Sequence, residues 1–130
     1  MSKLFESIKK AGVFYIATVD KDQPHVRPFG AIEEISGKIY IVTGNTKAVF
    51  RQFIANPKVE FAGLYPDGSW IRVSAQVKRT DSQSLKEQFL ELSPNLKKIY
   101  KADDGIFEVF ELEEPVGYIY NGSNAVKIEE

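Results

Sequence analysis

The chain has no cysteine and only one histidine. The first absence excludes disulfides, thiol nucleophiles and iron–sulfur ligation, and the second removes the usual zinc clusters, which need several Cys or His ligands. Charge of one sign is lacking too: 17 Lys and Arg stand against 18 Asp and Glu, for a formal net charge of −1. No basic footprint for nucleic acid or an anionic membrane results, and neither partner is expected. No stretch approaches the roughly 20 apolar residues that cross a bilayer, and the start, MSKLFESIKKAG, is charged and amphipathic without the apolar core of a signal peptide. A soluble cytoplasmic protein is expected by elimination. The 130 residues fit one domain over 1–130, large enough to hold a real core.

Apolar periodicity supplies the elements. Leu4, Phe5, Ile8 and Ala11 recur at helical spacing, with Ser2 as N-cap and Gly12 as stop. Val13–Val19 is an apolar run expected to be a central strand, separated by Asp20-Lys21-Asp22-Gln23 from an extended segment beginning at Pro24. A turn at Ser36-Gly37 leads into Lys38–Thr43, apolar on both faces, so both faces should be covered. From Thr46 the period becomes helical, placing Val49, Phe50, Phe53 and Ile54 on one face up to Asn56-Pro57. A short strand, Val59–Leu64, and the turn Pro66-Asp67-Gly68 precede the strand Ser69–Lys78, in which Trp70, Arg72, Ser74 and Gln76 alternate with Ile71, Val73, Ala75 and Val77. Asp81 or Ser82 caps a helix carrying Leu85, Phe89, Leu90 and Leu92, and Ser93-Pro94 starts a second through Leu96, Ile99 and Tyr100. In the last strand, Ile106–Tyr120, Phe107 and Val109 share one face and Phe110 and Leu112 the other, which suggests a bulge near Val109-Phe110. About six strands with peripheral helices imply a mainly β fold, a small antiparallel barrel.

Two places carry chemistry. Arg27 precedes Pro28-Phe29-Gly30, where proline removes a ladder donor and glycine admits close approach, so the strand can present its arginine to a ligand. The alternative is an arginine paired with a carboxylate on a neighbouring strand. Thr43-Gly44-Asn45-Thr46-Lys47 is a strand end, turn and helix start whose free N–H groups suit an anion, with Thr46 to bond a phosphate oxygen and Lys47 to supply charge. In the competing reading Thr46 caps the helix and Lys47 is solvated. His25 has no carboxylate at triad spacing and reads as a surface residue. Trp70 either packs at a subunit contact or stacks near a ring system.

Taken in order, FYIATVDKDQPHVRPFG, IYIVTGNTKAVFRQFIANPKVEF and GSWIRVSAQV resemble the pyridoxamine 5'-phosphate oxidase-like family of FMN-binding split barrels, in its small general-stress and nitroimidazole-resistance-like branch. The resemblance covers residues from about 5 to 120. It implies a six-stranded antiparallel split barrel, a homodimer with FMN between subunits, and an oxidoreductase acting on a small-molecule substrate. By the same resemblance Arg27 and Lys47 contact the FMN phosphate with Thr46 beside them. Pro28, Phe29 and Gly30 line the isoalloxazine, Val42 and Thr43 border the ribityl chain, and Trp70 approaches from the partner chain. His25, Tyr118 and Tyr120 are the candidate proton donors. The chain ends soon after its last strand, without the family's C-terminal Arg and His segment, so vitamin B6 oxidation is not expected, and Arg27-Pro28 stands where many nitroimidazole-resistance members carry an apolar residue. The alternatives are a non-catalytic flavin carrier or redox sensor, with the acidic stretch Glu108 to Glu114 as a partner contact, or a barrel that holds deazaflavin or haem.

Overall fold

The computed structural model describes residues 2–130. Helix α1, Lys3–Ala11, is capped by Ser2, whose hydroxyl accepts from the Phe5 N–H, and ends at Gly12 with φ +77°, a value that favours glycine. Its face of Leu4, Phe5 and Ile8 is buried. Strands β1 (Phe14–Asp20) and β2 (Gln23–Phe29) form a hairpin with Asp20 opposite Gln23, closed by the two residues Lys21 and Asp22. β3 (Ile32–Ile35) and β4 (Lys38–Gly44) form a second hairpin. Its turn residues Ser36 and Gly37 both have positive φ, as a two-residue turn matched to strand twist requires. The extended segment that begins at Pro24 is two strands, parted at Gly30-Ala31 soon after Pro28, which has no ladder donor.

Helix α2 (Ala48–Ala55), β5 (Lys58–Leu64) and β6 (Trp70–Thr80) follow, then α3 (Gln83–Leu92), a 3₁₀ turn over Pro94–Lys98, β7 (Phe107–Asn121) and β8 (Asn124–Lys127). Ser82, not Asp81, caps α3. All pairings are antiparallel, in the order β2-β1-β5-β6-β7-β4-β3, with β8 on the edge of β7 beyond the reach of β4. The sheet is not closed, and it has eight strands rather than six. The two extra strands come from the break at Gly30-Ala31 and from the tail pairing back as β8.

Two apolar clusters sandwich the middle strands. On the inner side Ile39 and Ile41 of β4 meet Phe110 and Leu112 of β7, Phe53 of α2 and α1. On the other, Tyr40 and Val42 meet Phe107, Val109, Phe89, Leu90 and Tyr100. The covered double face expected for β4 is what the structure has. The same sandwich explains β7, where Phe107 and Val109 face one cluster and Phe110 and Leu112 the other, with no register change between them. The irregularity lies further on. Ser74 pairs with Val116 and Gln76 with Glu113, so Glu114 and Pro115 oppose Ala75 alone, and Glu114 takes φ +49°. A proline without a donor and a strained residue fit the extra position of a bulge. The helical face expected on α2 is also shifted: Val49, Gln52 and Phe53 are buried, while Ile54 is exposed.

Glu108 is 3% exposed on the inner face of β7. Arg79 Nε donates to its Oε1 at 2.8 Å, and Asn45 Nδ2 to its Oε2 at 2.9 Å. Burial alone would raise this carboxyl, but the hydrogen bonds from Arg79 and Asn45 and the charge of Arg79 hold it below the usual carboxylate value. Glu111 is likewise engaged, 3.7 Å from Lys38. The acidic stretch Glu108 to Glu114 is therefore partly internal: Glu108 and Glu111 are engaged within the fold, while Glu114 is exposed. Because the folded-state value is depressed, the pair contributes fully at neutral pH and its contribution is lost as pH falls through the acid range. Glu108→Gln is expected to cost about 1–2 kcal/mol at pH 7, discounted for the half-exposed Arg79. Urea unfolding at pH 7 and pH 3 checks this: the gap between wild type and variant should shrink at the lower pH, and a gap independent of pH refutes the assignment.

Candidate functional site

The β1–β2 register sets Arg27 opposite Ile16 and His25 opposite Thr18. Ile16 and Thr18 are buried, so Arg27 is turned to the covered side of its hairpin. Its Nη1 donates to Thr18 Oγ1 at 2.8 Å and to the Ile16 carbonyl at 3.2 Å, and its Nη2 donates to Gln52 Oε1 at 2.6 Å. The Thr18 hydroxyl also donates to Gln52 Oε1. Every one of these acceptors is neutral. Among the described residues Arg27 forms no ion pair, so the pairing with a neighbouring carboxylate is not what the structure shows. Burial lowers its pKa, but a guanidinium stays charged throughout the working pH range. The result is a cation whose two Nη groups are engaged by neutral oxygens, whose Nε has no partner among the described residues, and whose charge is unmatched.

Arg27 opens on a cavity of about 560 Å³ lined also by Pro28, Phe29 and Gly30, by Val42 and Thr43 of β4, and by Lys47 and Val49 at the start of α2. Seven of the nine residues singled out from the sequence thus meet on one cavity. Lys47 is the N-cap of α2, with extended backbone and no side-chain cap bond, rather than a residue of its first turn. A lysine has no acceptor to offer the first N–H groups of the helix, which leaves the positive dipole end free for an anion beside Arg27. Thr46 lies in the preceding turn, exposed, neither capping the helix nor lining the cavity. Trp70 is outside it as well, on the outer face of β6, stacked on Tyr120 at 4.3 Å and 14° with the Arg72 guanidinium 5.0 Å above its ring. His25, Tyr118 and Tyr120 do not line the cavity of their own chain.

The opposite wall was not anticipated. The end of α3 and the 3₁₀ turn contribute Leu92, Ser93, Leu96 and Ile99, and Tyr100 follows them. Leu92 and Ile99 are exposed rather than packed as the helical spacing suggested. Tyr100 leans on Phe107 at 5.0 Å and crosses β4 at Gly44, where an added Cβ would stand 2.9 Å from its hydroxyl. Thr18 and Gln52 were also missed. The available signal was a glutamine between Val49 and Phe53 on a helix face that otherwise packs. Replacing it by leucine removes an acceptor from a half-buried guanidinium. Gln52→Leu is expected to lower stability by about 1–3 kcal/mol in urea unfolding, and to lose less when inorganic phosphate is present; equal losses with and without phosphate count against an anion at Arg27.

A family model described as pyridoxamine 5'-phosphate oxidase matches residues 2–113. The crystal structure of a NimC/NimA family protein from Clostridium acetobutylicum is 45% identical, with a TM-score of 0.93 over 97% of this chain and 89% of that one. At 20% identity the General Stress Protein 26 of Bacillus anthracis str. Sterne shares the fold, with a TM-score of 0.75 over 96% of this chain and 95% of that one. So does a pyridoxamine 5'-phosphate oxidase-related, FMN binding protein from Nostoc punctiforme PCC 73102, 12% identical, TM-score 0.62, covering 98% and 95%. A search of curated proteins found no match. The family model spans both hairpins, α2 and the strands that wall the cavity, and on that ground the chain belongs to the pyridoxamine 5'-phosphate oxidase family.

Proposed function

We propose that this chain binds FMN and acts as a flavin-dependent oxidoreductase on a small molecule, as a homodimer. The observation that carries the reading is the Arg27 guanidinium, half-buried and without a counter-charge, beside Lys47 and an uncapped helix N-terminus. A phosphate monoester supplies the missing negative charge and several acceptor oxygens at once. The apolar length of the cavity, Phe29, Val42, Leu96 and Ile99, suits the ring-bearing remainder of a mononucleotide. Membership of the family and the FMN binding stated for the Nostoc relative point the same way.

Bound flavin supplies hydride or electron transfer. What the chain's own residues do is hold and orient. Arg27 and Lys47 fix the phosphate, Pro28 and Gly30 present backbone to the ring system, and the segment Leu92–Ile99 shields it from water. Among the described residues no histidine or cysteine lines the cavity, and the roles assigned above to its residues are binding and orienting ones. Two further neighbours bear on the cofactor: a heme binding protein from Mycobacterium smegmatis and an F420 reductase share the fold at 13% and 16% identity. Haem is disfavoured because the one histidine, His25, is exposed and off the cavity. A deazaflavin also brings a phosphate, and the absorption spectrum of purified protein tells it from FMN.

The dimer reading rests on an exposed apolar sheet face. In register across the sheet, Tyr15, Ala62, Arg72 and Tyr118 form one row, and Leu64, Trp70 and Tyr120 the next. Tyr15 is 52% and Leu64 67% exposed, and exposed aromatic and aliphatic side chains beside an arginine are the composition of a protein–protein contact. No helix among the described residues is long and apolar enough to cross a membrane.

Arg27→Ala with Lys47→Ala is expected to weaken FMN binding by about 100-fold or more, since each removes a charged contact of roughly 1.5–3 kcal/mol. Riboflavin, which lacks the phosphate, should lose far less. Protein that stays as yellow as wild type through gel filtration sinks the proposal. Turnover of a nicotinamide donor with an added acceptor separates an enzyme from a flavin carrier. Leu64→Glu with Tyr118→Glu should shift sedimentation from dimer to monomer, and a wild-type protein that is already monomeric at micromolar concentration overturns the dimer.

A further inference from the structure

The end of the cavity away from Lys47 is built around a carboxylate. Glu33 of β3 is only 7% exposed. Its Oε2 accepts from Lys9 Nζ at 3.0 Å and from Ser93 Oγ at 2.5 Å. These two bonds tie the side chain to α1 and to the end of α3, and fix its rotamer. No group among the described residues donates to Oε1, and no fully enclosed side-chain oxygen or nitrogen lacks a partner. Oε1 therefore keeps an opening, and the cavity is what Glu33 lines. The carboxylate presents one occupied oxygen to the protein and one vacant acceptor to whatever fills the space.

Position sets the size of that occupant. Glu33 lies opposite Tyr40 in the β3–β4 register, and Gly44, with Tyr100 across it, marks the cationic end beside Lys47. From residue 40 to residue 44 the strand advances about 13 Å at roughly 3.3 Å per residue. Between the ends the walls are Ala31, Val42 and Leu96. A lone phosphate or small carboxylate reaches one end only. A ligand that uses both carries an anion at one end and a hydrogen-bond donor at the other. Lys9 already balances the charge of Glu33, so a neutral N–H is matched better than an ammonium, which would be one cation too many.

We propose that Glu33 recognises the ring end of the bound flavin, its Oε1 accepting a hydrogen bond from the ring imide N–H at N3. This rests on the flavin reading above, and the test keeps the two apart. Wild-type apoprotein is titrated by flavin fluorescence with FMN and with 3-methyl-FMN, in which a methyl replaces the N3 hydrogen and removes the donor. FMN is expected to bind about tenfold tighter or more, the scale of one charge-assisted hydrogen bond. Glu33→Ala should bring the two ligands within about twofold of each other, with thermal unfolding confirming a folded variant. The isosteric Glu33→Gln, which keeps the packing and weakens the acceptor, should retain part of the preference. If wild type binds FMN and 3-methyl-FMN equally, Glu33 does not read N3 and the flavin reading still stands. If the preference survives in Glu33→Ala, N3 is read elsewhere and the inference is overturned. If neither flavin binds, both proposals fall together.

Discussion

An arginine held entirely by neutral oxygens is the constraint around which the rest of this structure is arranged. Half-burying a guanidinium costs solvation that hydrogen bonds restore only in part, because they occupy some of its donors without cancelling its charge. Three elements cooperate to make the position tolerable. The β1–β2 register brings Ile16 O and Thr18 to one side, and α2 turns Gln52 inward between Val49 and Phe53 to meet the other nitrogen. A leucine in place of Gln52 would pack more simply against those neighbours. The helix face gives up apolar burial to hold the cation, and the pocket gains a preorganised positive centre.

The other buried charges show how unusual that choice is within this chain. Glu108 is matched by Arg79, and Glu33 by Lys9, each at hydrogen-bonding distance. Both buried carboxylates are thus neutralised inside the fold, and the half-buried guanidinium is not. A sheet that pairs its internal anions and leaves its internal cation open has a net field that favours one kind of guest. Lys47 and the unfilled N-terminus of α2 add to the same field from the next element.

The readable part of the sequence was where local pattern and environment agree. The strict alternation of Trp70 through Lys78 survives as a strand with one wet and one buried face, and the doubly apolar Lys38–Thr43 is buried on both sides. Arg27-Pro28-Phe29-Gly30 and Thr43 through Lys47 could be flagged because proline, glycine and a helix start each alter backbone chemistry in a known way. Long-range choices were not legible. Gln52 sits on a helix face that packs, but its partner comes only with the approach of β1 and β2. Tyr100 and the wall Leu92–Ile99 read as ordinary helix faces, since nothing local says that α3 stops beside β4. The bulge was misplaced because two covered faces on β7 mimic a register change; the real interruption is at Glu114-Pro115, where strain and a missing donor coincide.

Trp70 shows what a single chain cannot do by itself. Its ring is clamped between Tyr120 and the Arg72 guanidinium, which lies 5.0 Å from one ring and 4.9 Å from the other. That stack fixes its orientation on the outer surface of β6, while the cavity is reached from the β2–β3 junction and α2. Turning the ring into its own cavity would require breaking the stack and crossing the sheet. In the flavin-bound homodimer proposed above, Trp70 reaches a flavin only across the subunit boundary, because facing the cavity of its own chain would break its stack. The cationic pocket and the aromatic face are then two halves of one site, and the chain's exposed Tyr15, Leu64 and Tyr118 are the surface that would bring them together.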